Sequence, residues 1–381
     1  MTAQITTKDQ KNILTGFLQF LKKEPVLTVS AICALVSAFF VLPSPAYVDY
    51  IDFRTLALLF CLMSVVAGLQ RNGLFSWLAQ KMLSGKKQRR TLFLLLILLP
   101  FFSSMLVTND VALITFVPFA VLILTLTGQQ NYMIFVIVMQ TVAANLGSMA
   151  TPVGNPQNLY LYSRYGLSAG GFFAAVLPYA LLALPLLIVS VFFCPKEEIS
   201  VSLPEEKEDI KKDRVVLYLI LFVLCLLSVF HVLHYGILLA IVCIALFAAD
   251  RSLYRTMDYG LLLTFVCFFI FSGNLGAIDS IKTFLQNLLE KQPLLTSALA
   301  SQVISNVPAA VLLSAFTADW KAMLLGTDLG GLGTPIASLA SLISLRLYMK
   351  SEGASVGKFL GFFSVVNFAG LVLFLAIAMI F

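Results

Sequence analysis

Charge is what this chain has least of. Of its 381 residues, 12% are Asp, Glu, Lys or Arg and 60% are hydrophobic. Soluble domains carry about 25% charged residues. A chain this apolar cannot clothe a water-facing surface, which excludes a soluble fold. Histidine is nearly missing, with only His231 and His234. No HExxH-type signature occurs, so a zinc centre or His-based catalytic site has little to be built from. The six cysteines (Cys33, Cys61, Cys194, Cys225, Cys243, Cys267) are scattered through apolar runs without CxxC spacing. They read as small core residues, not as disulfides or metal ligands. Nothing resembles a nucleic-acid module, and the net charge of +6 reads as membrane orientation. No cleavable signal peptide is visible. A polar N-terminus with Lys8, Lys11, Lys22 and Lys23 leads into an apolar run, the pattern of a retained first span.

What is present is a series of apolar segments, roughly 25–43, 54–70, 91–107, 110–125, 131–163, 171–194, 214–230, 235–249, 259–275, 294–316, 322–348 and 359–381. Several are interrupted. Thr108, Asn109 and Asp110 separate the third from the fourth. Gly147, Pro152, Gly154 and Pro156 break 131–163, Ser305, Asn306 and Pro308 break 294–316, and Asp328, nearby glycines and Pro335 break 322–348. Polar breaks at membrane depth are tolerated only where they face protein or a water-filled cavity. The stretch 195–214, PKEEISVSLPEEKEDIKKDR, is too polar to span and reads as a solvated linker.

Charge also sets orientation. With a cytoplasmic N-terminus and the two Asn-bearing pairs as re-entrant hairpins, the cytoplasmic parts hold 20 of the 25 Lys and Arg residues. Arg54, Arg164, Lys282, Lys291 and Lys321 fall outside. The bias puts the N-terminus in the cytoplasm of a cell-membrane protein and Phe381 outside, and it weakens if either hairpin crosses fully.

The interruptions recur. LGSMATPVGNPQNLYLYSRY (146–165) matches LGGLGTPIASLASLISLRLY (329–348) at Leu, Gly, Thr, Pro, Leu and Tyr. Upstream of each lie an Asn-bearing break (VTND at 107–110, ISNV at 304–307) and an amphipathic stretch (72–83, 278–289). Equal order with opposite sidedness is an inverted-topology repeat. The expected fold is an all-α integral membrane protein of about ten spans plus two re-entrant hairpins, with broken helices. Residues 1–24 form the cytoplasmic N-terminus, 25–194 the first repeat, 195–214 the cytoplasmic linker, and 215–381 the second repeat with one extra span, 214–230.

Broken helices in both halves would meet near the bilayer midplane. Half-helices beginning after Asn109, Pro156, Asn306 and Pro335 together favour an anion. Freed carbonyls and neutral side chains suit Na⁺. The candidate substrate- or ion-binding residues are Thr108, Asn109, Asp110, Asn145, Thr151, Gly154, Asn155, Asn158, Ser305, Asn306, Asp328, Thr334, Ser338 and Ser341. Asn109 and Asn306 are site residues or turn formers. Asp110 is a functional acid or a first-turn acid stabilised by its helix dipole. Asp328 aligns with Asn145, which marks a polar ligand position suited to ion or proton coupling. His231 and His234 sit at an outer helix end and read as interfacial. Gln140, Gln302, Asn274 and Asn367 line the path or bridge helices.

The paired Asn hairpins and Thr-Pro breaks resemble the ion transporter superfamily of divalent anion/sodium symporters, citrate carriers and arsenite efflux permeases, over nearly the whole chain. The resemblance implies a scaffold domain, a moving transport domain, a homodimer in the lipid bilayer and a small-anion substrate. It implies no cofactor beyond a coupling ion, Na⁺ or H⁺, with Na⁺ near Asn109 and Asn306. The symporter tip is Ser-Asn-Thr; here the tips are Thr108-Asn109-Asp110 and Ser305-Asn306-Val307. The Asn-Asp pair followed by VALITFVPF looks more like the arsenite permease branch. A membrane enzyme would need a nucleophile–base set that the sequence lacks. A channel could reuse the polar breaks as a pore lining, although paired broken helices in inverted repeats favour alternating access.

Overall fold

The computed structural model describes residues 24–201 and 211–380. Residues 1–23 of the expected cytoplasmic N-terminus, residues 202–210 of the linker and Phe381 lie outside the described residues. The first half comprises α1 (Pro25–Phe40), α2 (Tyr47–Tyr50), α3 (Phe53–Arg71), α4 (Leu74–Leu83), α5 (Arg89–Ser103), α6 (Asn109–Leu126), α7 (Met133–Ser148), α8 (Pro156–Arg164) and α9 (Ala169–Phe192). The second comprises α10 (Lys212–Val229), α11 (Tyr235–Ala249), α12 (Tyr259–Gly276), α13 (Asp279–Lys291), α14 (Pro293–Ile304), α15 (Asn306–Leu313), α16 (Trp320–Leu329), α17 (Leu339–Tyr348) and α18 (Val356–Ile380). Among the described residues, six helices are long and apolar enough to cross a membrane, and four shorter apolar ones accompany them. The protein is a multi-pass, all-α membrane protein.

Helix starts follow local chemistry. Asp52 and Asp258 cap α3 and α12 by accepting from the Thr55 and Leu261 backbone N–H groups. Pro25, Pro156 and Pro293 open α1, α8 and α14, where a missing N–H costs nothing. One boundary departs from expectation. The half-helix placed after Pro335 begins at Leu339, with Ser338 at its N-cap. Gly333, at φ 102°, turns the chain ahead of Thr334-Pro335 and delays the helix.

The internal repeat is visible bond by bond. Aligning Asn109 with Asn306 and Pro156 with Leu339 superposes four hydrogen bonds. The Asn109 N–H donates to the Gly154 carbonyl (3.2 Å), as the Asn306 N–H does to that of Ala337 (2.9 Å). Asn109 Oδ1 accepts from the Asp110 N–H (2.9 Å), and Asn306 Oδ1 from that of Val307 (3.0 Å). The Thr151 hydroxyl donates to the Met105 carbonyl (2.5 Å), and Thr334 to that of Gln302 (2.9 Å). The Gly154 N–H donates to the Thr151 carbonyl (3.3 Å), and Ala337 to that of Thr334 (3.1 Å).

The halves are inverted. Arg71, ending α3, pairs at 3.1 Å with Asp250, the C-cap of α11, from which a short turn leads into α12. The end of one helix and the start of its equivalent therefore share a face, as an inverted repeat requires. The equivalents interlock: α17 packs on α6 and α7, while α8 packs on α15 and α16. A second group, α1 with α12 and α10 and α11 with α3, flanks this core.

Close helix approach depends on equivalent glycines. A Cβ on Gly147 would lie 2.1 Å from the Phe101 carbonyl oxygen, and one on Gly330 2.9 Å from Ala298 Cα. Gly147→Ala should destabilise the protein by roughly 1–3 kcal/mol, because the backbone it meets cannot yield as a side chain would. A lowered thermal unfolding midpoint in detergent checks this, with Gly170→Ala, which faces open space, as an unaffected control.

The linker is not a plain solvated connector at its start. Glu198–Val201 (β2) pairs antiparallel with Gly85–Gln88 (β1), and Ile199 and Val201 are buried. Arg89 pairs with Glu197, and Arg90 Nε donates to the Cys194 carbonyl at 2.7 Å. This ribbon, hidden among charges in the sequence, staples the α4–α5 connection to the chain leaving α9.

Candidate functional site

The two hairpin tips and two helix breaks meet in one buried polar centre. Asn109 Nδ2 donates to Asn145 Oδ1 at 2.9 Å. Asn145 also crosses to the other half, donating to the Gly331 carbonyl (3.3 Å) and accepting from the Ser338 hydroxyl (3.2 Å). Asp328 occupies the position equivalent to Asn145. Gln157 Nε2 donates to its Oδ1 at 3.3 Å, and the amides of Asn155 and Asn158 stand beside the carboxyl group. Asp328 is only 3% exposed, makes no ion pair among the described residues, and leaves Oδ2 without a partner. Asn155 Oδ1, Asn158 Oδ1 and the Ser341 hydroxyl are buried and unpartnered too. An isolated buried carboxylate is costly unless it is protonated or paired.

Two cavities adjoin the centre. A small cavity is bounded by Asn109, Asp110, Gln157, Asn306 and Ser338. A vestibule of about 390 Å³ runs past Thr108, Asp110, Asn155 and Ser305 to Gln70, Asp258, Glu24 and Arg346. Its walls come from α1, α3 and α12 on one side and α6, α8 and α17 on the other. Arg346, Glu24 and Asp258 were not singled out from sequence, because helix-end charges look like solvated surface until the fold lines them up.

Other candidate residues hold the scaffold. Thr151 and Thr334 tie each break to its hairpin through the bonds above. Asn158 Nδ2 points at the Met149 and Thr151 carbonyls (3.4 and 3.3 Å). Gly154 admits no side chain, since a Cβ would sit 2.1 Å from the Ser148 carbonyl oxygen. Ser305 donates to the Ala337 carbonyl (3.3 Å) and stands at φ 72°, whereas its counterpart Thr108 is relaxed at φ −63°. Gln302, Asn274 and Gln140 bridge elements: Gln302 to Gly330, Leu332 and Thr334, Asn274 to Ser37 and Tyr47, and Gln140 to Leu96. Asn367 donates within its own helix, to the Phe363 carbonyl.

His231, in the loop after α10, contacts Arg54 and stacks on Tyr162. Burial and the Arg54 guanidinium push its imidazole below the ordinary value. No cluster of His, Cys, Asp and Glu suited to a metal occurs among the described residues.

The sequence pattern of the citrate transporter family matches residues 17–323. The chain belongs to the citrate transporter family. An uncharacterized transporter of Methanocaldococcus jannaschii is 32% identical over 87% of this chain and 90% of its own length. The inner membrane protein YbiR of Escherichia coli is 30% identical, with the same coverage of both chains. A silicon efflux transporter of Oryza sativa subsp. japonica is 32% identical over 38% of this chain and 29% of its own. This member of the citrate transporter family is thus a membrane transporter, and the polar centre between its hairpins is the candidate solute site.

Proposed function

We propose that the chain is a secondary active transporter that carries a small anion, a carboxylate or inorganic oxyanion, across the cell membrane by alternating access, coupled to Na⁺ or H⁺. One observation carries the reading: a single polar centre, built from equivalent parts of both halves, adjoins a vestibule of about 390 Å³. A channel needs a continuous pore. Four helix N-termini, at Asn109, Pro156, Asn306 and Leu339, start around the centre and favour negative charge by their dipoles. Na⁺ at the tips would use Asn109 Oδ1 and Asn306 Oδ1, each of which accepts one backbone N–H and keeps a second lone pair. The chain would work as a homodimer in the bilayer, with Glu24 and the vestibule facing the cytoplasm and the C-terminus outside.

A second reading has its own observation. Among the described residues, the vestibule presents Glu24, Asp110 and Asp258 against Arg346. Excess acid repels a free multivalent anion and admits a neutral solute, and one relative is named a silicon efflux transporter. Proteoliposome uptake of citrate, arsenite and silicic acid under imposed Na⁺ and pH gradients decides. Saturable uptake that a gradient drives supports a carrier; linear, gradient-independent flux overturns it.

Topology is tested separately. In a chain with its native cysteines replaced, Lys196→Cys and Gly170→Cys should react with a membrane-impermeant maleimide from opposite sides. Labelling of both from one side removes the proposed orientation.

A further inference from the structure

Gln157 touches two parts of the centre at once. It is the second residue of α8 and is 1% exposed. One end of its amide, Nε2, donates to Asp328 Oδ1 at 3.3 Å. The same side chain bounds the small cavity, beside Asn109, Asn306 and Ser338, and its Oε1 takes no hydrogen bond among the described residues. The cavity holds about 10 Å³, room for one water-sized group. It shares Asp110, Pro156, Leu261, Val307 and Leu339 with the wall of the vestibule. One oxygen of an anion fits the cavity while the body of the anion lies in the vestibule. The other half has no such bridge. With Pro156 set on Leu339, the counterpart of Gln157 is Ala340. The counterpart of Asp328 is Asn145, which Asn109, Gly331 and Ser338 hold in place.

The direction of the Gln157 amide answers to the charge on Asp328. An ionised carboxylate only accepts hydrogen bonds, so it takes the NH₂ end and leaves the carbonyl end for the cavity. A protonated carboxyl group also donates, and the carbonyl end then receives its O–H. Asn158 is not free to make this exchange, since its Nδ2 already serves the Met149 and Thr151 carbonyls. We propose that Gln157 is a positioning residue that links proton uptake by Asp328 to anion binding in the small cavity, by exchanging the two ends of its amide. With Asp328 charged, a carbonyl oxygen faces the cavity and turns anions away. One proton, taken from water onto Asp328, turns the amide over and presents N–H donors that hold an anion. The proposal rests on the anion-carrier reading above with H⁺ as the coupling ion, and adds the residue that joins the two. The helices packed on α16 are α7, α8, α9, α14, α15 and α18. Among the described residues no charged or titratable side chain on them reaches Asp328, whose neighbours are the amides of Asn155, Gln157 and Asn158. Asp110, on α6, bounds the same cavity and stays unchanged in every variant below.

The test measures anion binding to the purified full chain in detergent by calorimetry, at fixed Na⁺ across the neutral pH range. The probes are sulfate, whose charge is constant there, and citrate, corrected for its own titration. Wild-type affinity should rise about tenfold for each unit of falling pH, the slope of one proton bound with each anion. Gln157→Met has no amide ends and should bind with an affinity independent of pH. Gln157→Asn keeps an amide one methylene too short to span both partners, and should lose the slope too, so a folding defect in the first variant leaves the second to report. A residue that served packing alone would change affinity equally at every pH and keep the slope. A slope retained by either folded variant, a wild-type affinity without pH dependence, or no binding of either anion overturns the proposal. Flux of the same anions into proteoliposomes reports on the carrier reading separately. Gradient-driven flux with pH-independent binding removes the Gln157 link and keeps the carrier, and pH-linked binding without flux does the reverse.

Discussion

Asn109→Ala and Asn306→Ala should each lower transport by roughly 10–100-fold or more, equivalent to about 1–3 kcal/mol of lost placement at the site, while the protein still folds and inserts. Each Asn joins its hairpin to its helix break through the backbone and orders the tip through the side chain. Asn109 Oδ1 holds the Asp110 N–H, and its Nδ2 fixes Asn145. Alanine keeps the backbone bond to Gly154 and removes both side-chain bonds. Folding survives because Asn145 Oδ1 keeps its bond from Ser338. The local geometry does not, since Asn145 is the residue that reaches across to Gly331. Asn306→Ala removes the cap on Val307 beside Ser305, which already holds an unfavourable positive φ. Uptake into proteoliposomes, matched for protein by gel filtration, measures the effect. Wild-type uptake by either variant would reduce the hairpin tips to turns.

Much of this architecture was legible in the sequence because membranes simplify the problem. Lipid forces every backbone group to be satisfied within the protein, so Thr108-Asn109-Asp110 and Ser305-Asn306 inside apolar runs had to mark protected breaks. The Thr-Pro pairs at 151 and 334 gave the repeat its register, and the bonds to Met105 and Gln302 show the reason: both threonines perform the same tie. Three features were not legible. The β1–β2 ribbon lies in charged sequence whose strand character depends on a partner more than a hundred residues away. The start of α17 depends on Gly333 adopting a positive φ. Glu24, Asp258 and Arg346 belong to helix ends distant in sequence, and only their convergence on one vestibule gives them meaning. The division of labour between Asn145 and Asp328 was half visible: alignment paired them, while the structure shows one satisfied on all sides and the other with a bare oxygen.

That difference sets up the largest expected change in coupling. Asp328→Asn should abolish the response of transport to an imposed pH gradient. The carboxyl group is buried among the amides of Gln157, Asn155 and Asn158, with no Lys, Arg or His to balance it among the described residues. A charge in that position persists only with a companion, and on the proposed function that companion is an exchanged proton or cation. Asparagine keeps the shape and removes the exchangeable charge. Gln157 can still donate to its carbonyl oxygen, so solute binding should survive while the driving gradient no longer matters. Asp110→Asn should be milder, because Asp110 stands in the first turn of α6, where the helix dipole already favours an acid, and it lines the vestibule, although its Oδ1, like Asp328 Oδ2, is buried without a partner. The measurement is uptake under a pH gradient, with and without Na⁺, for wild type and both variants. A lost pH response with an intact Na⁺ response assigns the proton to Asp328. A lost Na⁺ response with an intact pH response makes Asp328 a cation ligand instead and moves proton coupling to another group. If the Asp328→Asn protein answers both gradients as wild type does, Asp328 has no part in coupling, and its amide cage serves only to hold the two halves together.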